Sequence, residues 1–399
     1  MTKEEQFLFS LETQGIKLGL ERTSKLLSLL KNPHNNYFKI QIVGTNGKGS
    51  TAAMMSSILL DANVNVGTYT SPHLVDFKER IKINGEKITN QYIQHFINQY
   101  KKDIIDIGAT FFEVMTALAI NYFYDNGVEI ALLETGLGGR YDSVTACNSD
   151  MYVFTEISKD HSHLLGDDIR DIAKNKAMAI THTAPCISLD QKPEIKFELD
   201  QQAFKYDTSI DYIESTKLID YKLSLYGDHQ NLNANLVAKA MLQLYDRFNI
   251  KDENIINGLK NIYWPGRFQI LQSNPTVLFD VCHNETSILT FLDSIKKLSI
   301  SGKKYLLISI QNTKDITSCI DDIQNIFDTV CCTRLDNDRM MESRELASNF
   351  IDQNQIMIID DSTIAIDNLL SSSSQNDLIA IIGTHLWGPV ILQKFNYLF

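Results

Sequence analysis

The chain is 399 residues long, 44% apolar, and carries a formal net charge of −12 at pH 7. That length predicts two domains or three, and the acidic balance excludes a nucleic-acid partner, because a phosphate backbone needs a basic surface. No apolar run is long enough to cross a bilayer, and the opening MTKEEQFLFS carries acids where a secretory leader needs basic and then apolar residues, so neither a membrane nor export is expected.

Tyr37 to Val43 is short, apolar and rich in β-branched or aromatic residues, which predicts a buried strand, and Ser50 to Leu60 reads as a helix. Between them lie Gly44, Thr45, Asn46, Gly47, Lys48, Gly49, Ser50 and Thr51. A glycine-rich turn at the mouth of a helix makes an anion site, since free backbone N–H groups and the helix dipole both face the ligand. The spacing departs from the common nucleotide loop: only Thr45 and Asn46 stand between the first glycine and Gly47-Lys48, and Gly49 separates Lys48 from Ser50. The parts remain, with Lys48 for the β- and γ-phosphates and Ser50 for Mg²⁺. A nucleoside triphosphate is the expected ligand.

Further strands are expected at Val66 to Thr70, Val128 to Glu134 and Met151 to Ile157, with a helix over Thr110 to Phe123. The segment SLYGDHQNLNANLVAKAM should become helical after Asp228 or Asn231, both good caps. Trp264-Pro265-Gly266 breaks the pattern, and strands follow at Val277 to Val281, Lys304 to Ser309, Asp328 to Cys332, Gln355 to Ile359 and Leu378 to Ile382. The alternation predicts an α/β protein with largely parallel sheets, divided near Pro265 into residues 1–264 and 265–399. Ligands should gather at the carboxyl ends of the strands, between the two domains. Cys147, Cys186, Cys282, Cys319, Cys331 and Cys332 form no CxxC pair, which fits reduced thiols in a cytoplasm.

Glu134 ends an apolar strand beside the phosphate-loop strand, where nucleotide-binding proteins keep a Mg²⁺ ligand. Asp160, His161 and His163 follow another strand and could serve a metal or a substrate, although the spacing is poor for zinc. Lys176 reads as an ordinary exposed helix lysine. Arg267, after Pro265-Gly266, could close on phosphates, and Asp280, His283 and Asn284 lie at the end of the next strand.

GTNGKGST, YTSPHLVDFKERI, TFFEVMTALA, LLETGLGGRYD, KDHSHLLG, NKAMAI, HQNLNA, PGRFQI and FDVCHN occur in that order. Together they resemble the bacterial dihydrofolate synthase/folylpolyglutamate synthase family of the Mur ligase superfamily, from about Lys17 to IIGTHLWG near the end. The resemblance implies a P-loop central ATPase domain that also binds the pterin, and a smaller Rossmann-like domain for glutamate. It implies Lys48 on the phosphates, Ser50 and Glu134 on a first Mg²⁺, and His161 with Glu134 on a second. It makes Lys176 a candidate for carbamoylation by CO₂. Asn233 would lie near the adenine, Arg267 on the phosphates, and Asp280 near the ribose or phosphates. His283 and Thr384 would meet the incoming glutamate, while Phe112 and Asp142 would contact the pterin, with the loop from Ser71 to Leu74 moving over the site. The family's usual residues are replaced at Tyr141 to Thr145, at Met178, at Glu285 and at Thr384.

The implied reaction phosphorylates the carboxylate of dihydropteroate, or of a reduced folate, with ATP, and lets the glutamate α-amine displace phosphate. A monomer is expected. Two rival readings are a Mur-type ligase adding an amino acid to a cell-wall nucleotide and a nucleotide-binding regulator without catalysis. Activity on a UDP-linked muramoyl substrate would mark the first, and ATP binding without amide formation the second.

Overall fold

The computed structural model describes residues 2–15, 17–214 and 216–397, with the side chains of residues 13, 14 and 163 outside that description. His163 is therefore not placed. The chain divides into two compact units, one of residues 1–73, 77–224 and 230–262 and one of residues 74–76, 225–229 and 263–399.

The first unit carries an eight-stranded sheet. Its strands are β1 (Phe38–Val43), β2 (Val66–Tyr69), β3 (Ile81–Ile83), β4 (Glu86–Lys87), β5 (Ile130–Glu134), β6 (Met151–Phe154), β7 (Cys186–Ser188) and β8 (Ile210–Tyr212). They lie in the order β4-β3-β2-β5-β1-β6-β7-β8, antiparallel only at β2-β3 and β3-β4. The sequence gave no signal for β3, β4, β7 or β8, which are two or three residues long and too short to show a period. β1 is buried along its whole length between two parallel neighbours, the situation that selects a continuous apolar run. Of its two polar residues, Gln41 donates from Nε2 to Thr145 Oγ1 at 2.8 Å while its buried Oε1 has no partner, and Lys39 Nζ pairs with Asp150 at 2.7 Å.

The helix Phe111–Asp125 begins where Glu113 Oε2 accepts from the Thr110 N–H at 2.7 Å, and Arg22 pairs with the same carboxylate at 2.8 Å. The helix after the phosphate loop runs Lys48–Asp61, two residues earlier than its pattern indicated. The helix of the HQNLNA segment starts at Asp228.

His34 is a buried imidazole in this unit. Burial first, and the nearby Lys39 charge second, lower its pKa from 6.5 to about 4. The folded state therefore binds fewer protons than the unfolded one between those values. Stability should be intact above pH 6.5 and decline as pH falls through 4, by about 2 kcal/mol once solvent screening is allowed for. Urea midpoints at pH 7 and pH 5, compared with those of His34→Leu, check this, and an equal acid loss in the variant would contradict it.

The second unit is built on β9 (Gln269–Ser273), β10 (Thr276–Phe279), β11 (Lys304–Ile308), β12 (Thr329–Arg334), β13 (Ile356–Asp361) and β14 (Leu378–Ile382). Their order is β13-β12-β11-β14-β10-β9, parallel except for β9 against β10. Apolar clusters fill both faces, one around Phe291, Ile308 and Phe327 and one around Phe279, Leu307 and Trp387.

Candidate active site

In the first unit the site grows from the carboxyl end of β1. Thr45 and Asn46 donate their N–H groups to the Glu156 carbonyl, at 2.7 and 3.3 Å, and Thr45 Oγ1 donates to the Ser158 carbonyl at 2.9 Å. The loop is thus pinned on the segment that follows β6. Gly44 must be glycine, because a Cβ there would lie 1.9 Å from Thr155 Oγ1. Gly47 has φ +87° and would press a Cβ against Asn233 Oδ1 at 2.9 Å, which places Asn233 on the loop.

Lys48 Nζ donates to the carbonyls of Gly44 and Thr45, at 3.2 and 2.9 Å. Lys176 Nζ donates to the same Gly44 carbonyl at 2.7 Å. Far from being an exposed helix lysine, Lys176 is 5% exposed. Its helix, Ile169–Ala177, lays one side against the core, and Lys176 falls on that side with Ile172 and Ala173. Burial and then the Lys48 charge bring its pKa down to about 7, so an uncharged amine is well populated at neutral pH.

Glu134 stands opposite Ile42 in the register of β5 with β1, one strand over from the loop, and its Oε2 accepts from the Ser71 N–H at 2.9 Å. Ser50 is buried, with its hydroxyl 3.4 Å from Gln230 Nε2, and Thr51 Oγ1 is buried with no hydrogen-bond partner. An orphaned hydroxyl beside free first-turn N–H groups suits phosphate oxygens. Among the described residues no three His, Cys, Asp or Glu side chains gather to hold a metal. That donor set fits Mg²⁺, which takes one or two protein oxygens and fills the rest with water and phosphate. His161 stands at the N-cap of a four-residue helix with its side chain 41% exposed, 3.9 Å from Asp160.

Ser71, Phe112 and Asp142 surround one position: a Cβ on Gly136 would lie 3.5 Å from Ser71 Oγ, 3.5 Å from Asp142 Oδ2 and 3.9 Å from the Phe112 ring. Asp142 Oδ2 accepts from the N–H groups of Gly136 and Leu137 and Oδ1 from that of Val144, at 2.9, 2.9 and 3.0 Å. Burial raises its pKa, and those three N–H groups oppose the rise. Its first task is therefore to close its own loop. Phe112 is 44% exposed, an aromatic face offered outward.

Two residues here carried no assignment from sequence. Arg80 lies over the rings of Phe111 and Phe112 at 5.6 and 5.5 Å, donates from Nε to His73 Nδ1 at 2.9 Å, and has a buried Nη1 without a partner. Asn175 ties the glycine loop to the Lys176 helix, with Oδ1 accepting from Gly139 N–H at 3.1 Å and its carbonyl from Arg140 N–H at 3.0 Å. Both lie inside quoted motifs, Arg80 in YTSPHLVDFKERI and Asn175 in NKAMAI, but no local pattern gives either a role.

In the second unit, Arg267 follows Gly266 (φ +74°) and donates to its carbonyl at 3.0 Å. Asp280 accepts from the N–H groups of Phe268 and Cys282, both at 2.8 Å, so it too organises its turn. His229, which burial holds below its usual pKa, lies within electrostatic reach of Asp280 and Arg267 and has a buried Nδ1 with no partner. His283 follows β10, and Thr384, 2% exposed, follows β14. Those strands are parallel neighbours, so both residues occupy one end of the sheet.

A nucleotide-type loop at one sheet's carboxyl end and a separate mostly parallel α/β unit define an ATP-dependent ligase of the Mur type. The family described as "Mur ligase, glutamate ligase domain" matches residues 266–385. Escherichia coli FolC in complex with DHPP and ADP superposes with a TM-score of 0.90 at 25% identity, covering 99% of this chain and 98% of that one. The Bacillus subtilis dihydrofolate synthase/folylpolyglutamate synthase is 30% identical over 404 residues, 93% of each chain. A Haloferax volcanii relative named "Probable bifunctional folylpolyglutamate synthase/dihydropteroate synthase" is 28% identical over 95% of this chain, which spans only 48% of that longer protein. The chain belongs to the dihydrofolate synthase/folylpolyglutamate synthase family.

Proposed function

We infer that this chain joins L-glutamate to 7,8-dihydropteroate at the expense of ATP, giving dihydrofolate, and adds further glutamates to reduced folate. The observation that carries this reading is the gathering of Ser71, Phe112 and Asp142 around Gly136, with Ser71 hydrogen-bonded to Glu134 at the end of the strand beside the phosphate loop. An aromatic face and polar groups suited to a pterin would then lie beside the loop that holds the nucleotide.

A carboxylate will not accept an amine directly, because oxide is too poor a leaving group. Lys48 Nζ and the N–H groups of the first helical turn would neutralise charge on the phosphoryl group as it moves to the pteroate carboxylate, with Arg267 assigned to the same charge. Ser50 and Glu134 would hold a first Mg²⁺, and His161, Glu134 and a carbamoylated Lys176 a second; bound there, Mg²⁺ supplies Lewis-acid charge compensation. Lys176 suits that modification because an uncharged amine adds to CO₂, releasing one proton and leaving a carboxylate in its place. Asn233 would face the adenine and Asp280 the ribose. His283 and Thr384 would position glutamate for attack by its α-amine, with phosphate leaving.

Absence of a membrane-length apolar helix among the described residues, and six buried free thiols, are compatible with a cytoplasmic enzyme. We assign it as a monomer using small-molecule substrates. The test is ADP release with Mg-ATP and L-glutamate, with dihydropteroate and with a reduced folate monoglutamate in parallel. Turnover of both supports the bifunctional reading, turnover of dihydropteroate alone restricts it to dihydrofolate synthesis, and silence with both overturns it.

A further inference from the structure

His385 lies in IIGTHLWG but has no role in the reading above, and the fold sets it against a residue that has one. His283 follows β10 and His385 follows β14, and β10 and β14 pair in parallel with Phe279 opposite Ile381. Their imidazoles therefore leave the same end of the sheet from adjacent strands. The rings meet edge to face, with centroids 5.6 Å apart at 61°.

The surrounding hydrogen bonds define what each group can offer. His283 Nδ1 lies 2.8 Å from the Val281 carbonyl, which can only accept, so Nδ1 carries the proton and Nε2 of the neutral ring is an acceptor. Thr384 Oγ1 accepts from the Leu386 N–H at 3.2 Å, leaving its O–H to donate. Gly383, at φ +115°, brings this turn so close to β11 that a Cβ would sit 2.1 Å from the Ser309 carbonyl. The turn that presents Thr384 and His385 is thus held rigidly, and both rings remain partly exposed.

We propose that His385 is a specificity residue of the amino-acid site, donating a hydrogen bond to the side-chain carboxylate of the incoming glutamate next to His283 and Thr384. This rests on the ligase reading. The α-amine that reacts is common to all amino acids, so choosing glutamate requires a donor for its second carboxylate. The His385 N–H and the Thr384 hydroxyl supply donors without the fixed positive charge of a lysine or arginine, while neutral His283 offers an acceptor at Nε2. A site built to hydrogen-bond a group rejects analogues that lack it, because its own polar atoms would be left unpaired.

The experiment is His385→Phe, which keeps a ring against His283 and removes the donor. Steady-state ADP release would be measured with L-glutamate and with L-norvaline, which has no side-chain acceptor, at saturating ATP and dihydropteroate. The expected result is a rise of about tenfold or more in KM for glutamate, a matching fall in the glutamate-to-norvaline ratio of kcat/KM, and an unchanged KM for ATP. If His385→Phe keeps the wild-type ratio, His385 only buttresses the His283 ring and the proposal is wrong. A melting curve of the variant identifies any loss through misfolding, and His385→Gln, which restores an N–H donor, should then recover part of the ratio; failure to do so in a folded protein also overturns the proposal. Wild-type protein that ligates no glutamate would instead remove the reading beneath it.

Discussion

Lys176→Met should cut glutamate-dependent turnover by about a thousandfold, the scale of losing one preorganised electrostatic group, without lowering the melting temperature. The two halves of that expectation come from one observation. The Lys176 amine is buried and donates to the Gly44 carbonyl at 2.7 Å, close to the Lys48 ammonium that donates to the same oxygen. Enclosing a cation beside another cation costs free energy, and a methionine of similar length removes that cost while filling the space. The fold loses nothing, but the catalyst loses the amine on which the proposed metal-facing carboxylate would form. Intact-mass measurement of the wild type under CO₂ should show an added carboxyl, and acetate should restore part of the activity of Lys176→Ala. A fully active Lys176→Met enzyme would exclude any role for the carbamate.

The second large effect is on stability. Gly258→Val should lower stability by about 3 kcal/mol or more, read as a fall of several degrees in the melting midpoint. The helix Asp252–Lys260 lies against the helix Lys48–Asp61 that carries the phosphate loop. A Cβ on Gly258 would stand 2.6 Å from Ile58 Cα and 2.7 Å from Ile58 N. These are backbone atoms of a buried helix and cannot rotate away. The Gly258 carbonyl also accepts from Ser57 Oγ at 2.8 Å, and Asn254 Nδ2 donates to Asp61 Oδ2 at 2.9 Å, so separating the helices would break polar contacts as well. Because the moved helix begins at Lys48, ATP affinity should fall with stability. A variant as stable as the wild type would show that the two helices can part without loss.

The phosphate loop was legible in the sequence because everything that makes it is local. A buried strand, four glycine-loop residues and a helix start lie within one stretch of chain, and each has its own signature. The α/β class and the parallel strands were legible for the same reason, since an apolar run enclosed on both faces needs no distant partner to be recognised. Local position also marked Glu134 and Arg267, and the family motifs added an expected place for Asn233 that no local pattern could supply.

Other features depended on distant contacts. Lys176 reads as solvent-facing until the Gly44 carbonyl and the core side of its helix enclose it. Asp142 reads as a substrate contact, yet its oxygens first satisfy three N–H groups of its own loop. Asn175, although part of NKAMAI, has no assigned role until Gly139 and Arg140 fold back onto it, and His385, although in IIGTHLWG, has none until β14 pairs with β10. The sequence by itself determined the elements and the anion loop, because strand period, glycine permissiveness and helix ends are properties of neighbours along the chain. Tertiary structure alone decided which carbonyl meets which amine and which histidine meets which, because burial and pairing belong to residues brought together from far apart.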